Sequence, residues 1–243
     1  MLGRVLSIDL AIRKTRDLGI CLLDVFARGP AKVKFLSPLD LGLTDPLDAE
    51  KFAEITRKYC RDYGIQIVMI DGPQGWKHPD SALPHSRVCE RVLSTPGKTG
   101  TKGQVKPANW RNFAIFSTVL FHKLTKCGAN LVLKPILTCP GRGLLAIEIF
   151  PSSAWPRLGM LPLPGHKKAV PDDMEKRLKM IKARFNLEID GELSHDRLQA
   201  LVSGVAGIAI LRGDPNGYVS EGVPPLQRED HILEGYIVNP RIY

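Results

Sequence analysis

The sequence of 243 residues predicts an α/β protein in which helices flank a mixed β-sheet. Three observations favour this class. Near the N-terminus, short apolar runs separated by polar turns predict an antiparallel β-meander. A segment with helical spacing then lies between two apolar runs, which implies a parallel strand pair joined by a crossover. Strand-like and helix-like segments also follow one another through the second half of the chain.

The first half of the chain supplies three strands, a helix and a fourth strand. Strands are predicted at residues 4–11, 18–26, 33–36 and 65–70, where apolar residues dominate. Pro46 suits the first position of a helix, and apolar residues recur near helical spacing as far as Tyr63.

The region 72–107 is rich in Gly, Pro, Thr and Lys, and predicts a long basic loop. A loop of this length inside a compact domain is usually functional or mobile. Later elements are predicted helices at 110–127, 172–185 and 194–211, strands at 131–137 and 144–150, and a turn at 139–141. Residues 214–243 are interpreted as a C-terminal covering segment. A hydrophobic content of 44% is enough for one large core, so we expect residues 1–243 to form a single domain.

Positive charge is concentrated in the middle of the chain. The net charge is +9, and no Asp or Glu occurs between Val92 and Ile147. The positive residues of this window are Lys98, Lys102, Lys106, Arg111, Lys123, Lys126, Lys134 and Arg142. A patch of one sign attracts an anionic partner, and nucleic acid is the usual one. The alternative is that these residues only make a loop and a helix face soluble.

The cysteines and the hydropathy pattern bear on location. The five cysteines are Cys21, Cys60, Cys89, Cys127 and Cys139, and they form no CxxC pair. This argues against a disulfide framework or a zinc finger and fits a reducing cytoplasm. No uninterrupted apolar segment is long enough to span a bilayer, so we expect a cytoplasmic protein without a membrane partner.

Three acidic residues lie in or at the end of apolar strands: Asp9 after VLSI, Asp71 after IQIVMI, and Glu148 within LLAIEIF. An ionised carboxylate in such a place is costly unless it is paired, hydrogen-bonded or bound to a metal. Each residue also has a purely structural interpretation. Asp71 begins an Asp-Gly-Pro turn, and Glu148 can pair with an arginine.

A fourth acid, Asp196, stands at the start of the last predicted helix. Behind it, small or polar residues follow one helix face: Gln199, Ala200, Ser203, Gly204 and Gly207. Small residues allow a helix to approach a sheet closely, which would carry Asp196 toward the strand ends. The alternative is that Asp196 only interacts with the helix dipole. Together, four acids in four elements predict a convergent cluster.

Carboxylates gathered at one place repel one another, and a hard divalent cation relieves that repulsion. Mg²⁺ or Mn²⁺ suits such a site. Two ions roughly 3.5–4 Å apart can activate water and stabilise the leaving oxygen in phosphodiester hydrolysis. An acidic metal site beside a basic rim therefore predicts a metal-dependent nuclease, with Lys98, Lys102, Lys106 and Arg111 contacting the substrate.

Several motifs, in this order along nearly the whole chain, resemble the predicted RNase H-like nucleases, a domain family of unknown function. They are SIDLA at 7–11, IDGPQG at 70–75, RVCERVL at 87–93, IEIFPSSAWP at 147–156, HDRLQALVSGVAGIAI from His195, and EGYIVNP near the C-terminus. The resemblance implies a ribonuclease H-like fold, with an antiparallel arrangement of the first three strands. It also implies that Asp9, Asp71, Glu148 and Asp196 are the catalytic and metal-binding acids.

The same resemblance implies that Arg87 and Arg91 lie near the site and hold a phosphate. The alternative for both is a loop or cap that pairs with Glu90 or another acid. Where many family members carry adjacent acids and a further aspartate on the last helix, this chain has His195, Asp196 and Gln199. Fewer helix ligands leave open whether the site holds one ion or two.

Two other functions compete with the nuclease. The first is a nucleic-acid-binding module that keeps the fold but has reduced catalysis, which the thinned helix motif favours. The second is an actin-like phosphotransferase. It ranks lower because no glycine-rich phosphate loop follows the first strand. The choice between DNA and RNA, the position of the cut and the oligomeric state stay open.

Overall fold

Strand β1 (Gly3–Asp9) separates two hydrophobic cores. Side chains alternate along a strand, and Val5 belongs to one core while Leu6 belongs to the other. The structure is a computed structural model that describes residues 1–137 and 143–242. In it, both cores are built on one large central sheet.

The bounds of the other strands and of the helices are as follows. The remaining strands are β2 (Gly19–Val25), β3 (Ala31–Leu36), β4 (Ile67–Asp71), β5 (Lys98–Thr99), β6 (Val105–Lys106), β7 (Ala129–Leu131), β8 (Leu144–Ile149), β9 (Leu187–Asp190), β10 (Tyr218–Gln227) and β11 (Ile232–Pro240). The helices are α1 (Pro38–Leu41), α2 (Ala49–Asp62), α3 (Val88–Val92), α4 (Arg111–Lys126), α5 (Pro151–Arg157), α6 (Pro171–Phe185) and α7 (His195–Arg212).

The central sheet has the strand order β10-β11-β8-β4-β1-β2-β3-β9, and β7 pairs with the first half of β8. Strands β1, β2 and β3 are antiparallel neighbours, whereas β4 and β8 run parallel to β1. The predicted α/β class is confirmed: the central sheet is mixed, its first three strands are antiparallel, and helices flank it.

The helices cover both faces of the sheet. Helices α2 and α4 pack on one core, and α5, α6 and α7 pack on the other. Helix α7 lies close to β1: a Cβ atom added to Gly204 would be only 2.8 Å from the Cβ of Ser7. The Ser7 hydroxyl donates to the carbonyl of Ala200 at 2.7 Å. The small face predicted for α7 therefore does face the sheet. Among the described helices, none has the length and apolar character needed to cross a membrane.

Several predicted element boundaries were wrong. Helix α2 begins at Ala49 rather than Pro46, because the Asp48 carboxylate caps it by accepting from the Lys51 amide at 2.9 Å. The strand predicted at 131–137 ends at Leu131, where its pairing with β8 stops. The turn predicted at 139–141 lies outside the described residues.

The C-terminal region is not a covering segment. Strands β10 and β11 form a hairpin that extends the sheet, and β11 pairs in parallel with β8 through Ile237 and Glu148. All of β11 is buried, which is typical of a strand inside a sheet rather than of a cover.

The predicted loop 72–107 carries structure of its own. It contains α3 and the short β5–β6 hairpin. The buried carboxylate of Glu234 in β11 accepts from the amides of His78 and Val88, both at 3.0 Å. The C-terminal hairpin therefore fixes the part of this region that leads into α3.

Candidate carboxylate site

The parallel strands β1, β4 and β8 bring their carboxyl ends to one edge of the sheet. Ile8 pairs with Ile70, and Ile70 pairs with Glu148. Asp9 and Asp71 therefore occupy equivalent register positions in neighbouring strands, and their side chains lie on the same face of the sheet. Glu148 is one residue earlier in β8, so its side chain lies on the opposite face.

Helix α7 brings Asp196 to the face that carries Asp9 and Asp71. Gly19 of β2 is the cross-strand partner of Asp9. A Cβ atom at Gly19 would overlap with the backbone carbonyl of Asp196, so only glycine leaves room for the first turn of α7. Aspartates from three elements thus lie on one face of the sheet, and the charge of Asp196 acts on Asp9.

The charges of these aspartates act on one another. Burial, and then the charges of Asp71 and Asp196, raise the pKa of Asp9 well above its usual value. Burial and the charge of Glu148 raise the pKa of Asp71 to about 7, although a hydrogen bond from Asp9 acts in the other direction. Two carboxyl groups hydrogen-bond only through a proton, so Asp9 and Asp71 share one.

Asp196 is held by the histidine that precedes it. The His195 Nδ1 atom lies 2.7 Å from Asp196 Oδ1, and its Nε2 atom lies 3.0 Å from the carbonyl of Pro164. A carbonyl only accepts, so Nε2 carries a proton. The hydrogen bond with Asp196 raises the pKa of His195, whereas burial lowers it. One oxygen of Asp196 is therefore occupied.

Glu148 is paired with Arg87 in a bidentate ion pair. The two terminal guanidinium nitrogens donate to Glu148 Oε2 at 2.7 Å and to Oε1 at 2.6 Å. The backbone N–H of Gln74 also donates to Glu148 Oε2, at 2.9 Å. Burial raises the pKa of Glu148, and the charge of Arg87 opposes that rise. Both oxygens of Glu148 are thus occupied.

Arg87 also binds a second buried acid, Glu90, which is the pairing that the sequence analysis gave as the alternative to phosphate binding. Its Nε atom donates to Glu90 Oε1 at 3.0 Å, and Thr99 completes the set by donating to both oxygens of Glu90. The side chain of Arg87 is only 1% exposed. The predicted phosphate-binding role of Arg87 would therefore require it to leave Glu148.

The predicted basic residues differ in their surroundings. Arg91, Lys106 and Arg111 are exposed. The Lys98 ammonium donates to the Glu90 carbonyl at 2.6 Å. Lys102 pairs with Asp230, and Lys123 pairs with Glu50 and Glu54. Arg142 lies outside the described residues. The window that lacks acids in sequence is therefore partly neutralised in space by acids from other segments.

The donor set suits a hard cation only in part. Within residues 1–137 and 143–242, no three His, Cys, Asp or Glu side chains are placed to hold a metal ion as they stand. Asp9 and Asp71 nevertheless fit one chemically, because they are half-buried and joined by a hydrogen bond whose proton a cation would replace. Asp196 has a second oxygen that His195 does not occupy. Glu148 does not fit while it is bonded to Arg87.

Comparisons with known proteins give a likeness of fold only. No family model and no curated protein matches the chain. The structure of Thermus thermophilus RuvC is similar to this chain, with 12% sequence identity and a TM-score of 0.39. The match covers 87% of this chain and 97% of the RuvC chain. T. thermophilus RuvC in complex with Holliday junction substrate has the same coverages, 9% identity and a TM-score of 0.41. Such values assign no residue role and no activity, so membership of the predicted nuclease family stays a prediction.

The raised pKa of Asp71 predicts how stability depends on pH without metal. Between the ordinary carboxyl pKa of about 4 and the folded value of about 7, the native state keeps a proton that the unfolded state has lost. The free energy of unfolding should therefore fall as pH rises through this range. Asparagine at this position does not ionise, so Asp71→Asn should be more stable than wild type by on the order of 1–3 kcal/mol at about pH 8, and by less at about pH 5.

Urea unfolding at both pH values, in the presence of a chelator, measures this difference. Asp190→Asn is the matched control, because Asp190 is exposed. A stability difference between Asp71→Asn and wild type that is the same at both pH values would contradict the shared proton.

Proposed function

We propose that this protein is a metal-dependent nuclease that hydrolyses phosphodiester bonds at a site formed by Asp9, Asp71 and Asp196, with Glu148 beside it. The observation that supports the proposal is that aspartates from β1, β4 and α7 lie on one face of the sheet, where burial and repulsion raise the pKa values of Asp9 and Asp71. Such an arrangement costs stability unless a cation or a proton offsets the charge.

Mg²⁺ or Mn²⁺ would offset that charge, with Asp9 and Asp71 as its ligands and Asp196 contributing the oxygen that faces away from His195. When bound, the ion would polarise the phosphoryl oxygen and lower the pKa of a water molecule. The carboxylates themselves position the cation, and Asp9 must release its proton first. Arg87 keeps Glu148 fixed on the opposite face of the sheet.

Positive charge at the rim fits a substrate made of phosphates. A cavity that contains Asp71 is also lined by Val105 and Trp110. Their chain neighbours Lys106 and Arg111 are exposed. Because they are positively charged and adjacent in the chain to residues that line this cavity, we propose that they contact the backbone of a nucleic acid.

Labelled single-stranded and double-stranded DNA and RNA, incubated with Mg²⁺ or Mn²⁺, test this function. We expect at least one of the four substrates to be cut with a divalent cation and to stay intact with a chelator. Intact substrates under every condition, or cleavage that the chelator does not reduce, would contradict a metal-dependent nuclease.

The pairing of Glu148 with Arg87 and of Asp196 with His195 favours one alternative, a binding module with reduced catalysis. In the same experiment it would bind nucleic acid in chelator, with an affinity that falls steeply as salt rises, and would cut nothing. The actin-like phosphotransferase remains the lowest-ranked prediction, because residues 10–18 after β1 contain no glycine.

We further propose a cytoplasmic location. Cys21, Cys60, Cys89 and Cys127 are free thiols, and Cys139 lies outside the described residues. Free thiols are typical of a reducing compartment. A fraction of the native protein found outside the cytoplasm would contradict this location.

A further inference from the structure

We infer that the cavity beside Asp71 receives one unpaired nucleobase of the substrate, which stacks on Trp110. This inference deepens the proposed function and rests on it in one respect, namely that the ligand is a nucleic acid. The cavity has a volume of about 150 Å³, and its lining includes the acids Asp71, Glu90 and Glu148 and the aromatic residues Trp110 and Phe113.

The aromatic side of the cavity lies directly against the backbone that carries the acids. A Cβ atom on Gly72, the residue after Asp71, would lie 3.2 Å from the tip of the Phe113 ring. A Cβ atom on Gly97 would likewise lie 3.2 Å from ring atoms of Trp110. The two rings are nearly perpendicular, at 83°, with centroids 5.7 Å apart. The rings therefore form a corner next to the residue that follows Asp71.

The size of the cavity selects one heterocycle. Sites for drug-sized ligands measure roughly 300–1,000 Å³, so this cavity takes a single base and leaves its sugar and phosphate outside. A base inside a duplex is stacked between its neighbours and cannot enter without unpairing. The cavity therefore favours single strands or structures with an unpaired nucleotide.

Several of the polar groups that line the cavity are already bonded. Glu90 accepts from Arg87 and Thr99, and the Lys98 ammonium donates to the Glu90 carbonyl. The Thr95 hydroxyl donates to the Gly97 carbonyl at 2.7 Å. Few groups remain to read the edge of a base, so stacking supplies the contact. Stacking on an aromatic ring tolerates all four bases, and we expect weak sequence preference.

Trp110 provides its own optical signal. The chain has three tryptophans, and Trp76 and Trp155 are 4% and 0% exposed. Trp110 is partly exposed. A change in tryptophan fluorescence when an oligonucleotide binds therefore reports on Trp110.

The test titrates the full chain with a single-stranded oligonucleotide in chelator, following tryptophan fluorescence and, separately, the anisotropy of a labelled strand. We expect wild type to be quenched on binding. Trp110→Phe should lose the quenching but keep its affinity within about threefold, because phenylalanine still stacks. Trp110→Ala should bind the single strand roughly 5- to 150-fold more weakly. Tyr63→Ala is the matched control, since Tyr63 is an exposed aromatic residue lining a separate pocket, and it should match wild type.

Equal affinity of wild type, Trp110→Ala and Tyr63→Ala, or absence of quenching in wild type on saturation, would overturn the inference. If Trp110→Ala does not fold, the quenching of wild type and its loss in Trp110→Phe decide the matter. Because the titration contains no divalent cation, it is independent of cleavage. Quenching on binding, without cleavage in the presence of a divalent cation, would refute the nuclease and support the base cavity. Cleavage at the same rate by wild type and Trp110→Ala would support the nuclease and refute the base cavity.

Discussion

Replacing Asp9 and Asp71 together by asparagine is expected to lower the rate of metal-dependent cleavage by at least about 1,000-fold. Asparagine keeps the shape of each side chain but removes both charges that would hold a divalent cation. A metal ion at the reacting phosphate contributes several kcal/mol, and each 1.36 kcal/mol corresponds to a factor of ten in rate. The measurement is single-turnover cleavage of whichever substrate wild type cuts.

The double variant should also stay folded. Its two amides can still hydrogen-bond to each other, and the repulsion that raises the pKa values of Asp9 and Asp71 is gone. The matched control is the change of Asp17 and Asp190 to asparagine, because both residues are exposed and the change in net charge is the same. Cleavage by the Asp9 and Asp71 double variant at the rate of this control would place the chemistry elsewhere.

The second large effect is expected on stability. Arg87→Ala should lower the free energy of unfolding by about 3–5 kcal/mol, because removing one partner leaves buried charges without compensation. Glu90 and Glu148 are each 3% exposed at their side chains, and both are paired with Arg87. Urea unfolding at neutral pH measures the loss.

Arg91→Ala is the matched control for this variant, since Arg91 is exposed and follows by one helical turn. Its effect should stay within about 0.5 kcal/mol, as for most surface substitutions. The loss caused by Arg87→Ala should also be partly restored by adding Glu90→Gln and Glu148→Gln, which remove the uncompensated charges. A loss no larger than that of Arg91→Ala would show that the buried network does not stabilise the fold.

The sequence predicted the elements that carry the acids, because those elements have local signals. Apolar runs marked β1, β4 and β8, and the small face of α7 indicated its close contact with the sheet. What the sequence could not predict is the register between strands. A shift of one residue moves a side chain to the other face, and this separates Glu148 from Asp9 and Asp71.

The long-range ion pairs had no local signal either. Arg87 and Glu148 are 61 residues apart in the chain. Lys102 forms an ion pair with Asp230 near the C-terminus. The absence of acids from the sequence window therefore overstated the positive charge of this part of the surface. Strand β9 was missed because its four residues pair with β3 far away in sequence.

Titration calorimetry with Mn²⁺ tests the central claim most directly, because it measures the cation site without any substrate. Wild type should bind Mn²⁺ saturably and release protons on binding, since Asp9 must give up the proton that it shares with Asp71. The Asp9 and Asp71 double variant should show no such binding, whereas the Asp17 and Asp190 control should match wild type. Equal binding of Mn²⁺ by wild type and by the Asp9 and Asp71 double variant would contradict the account.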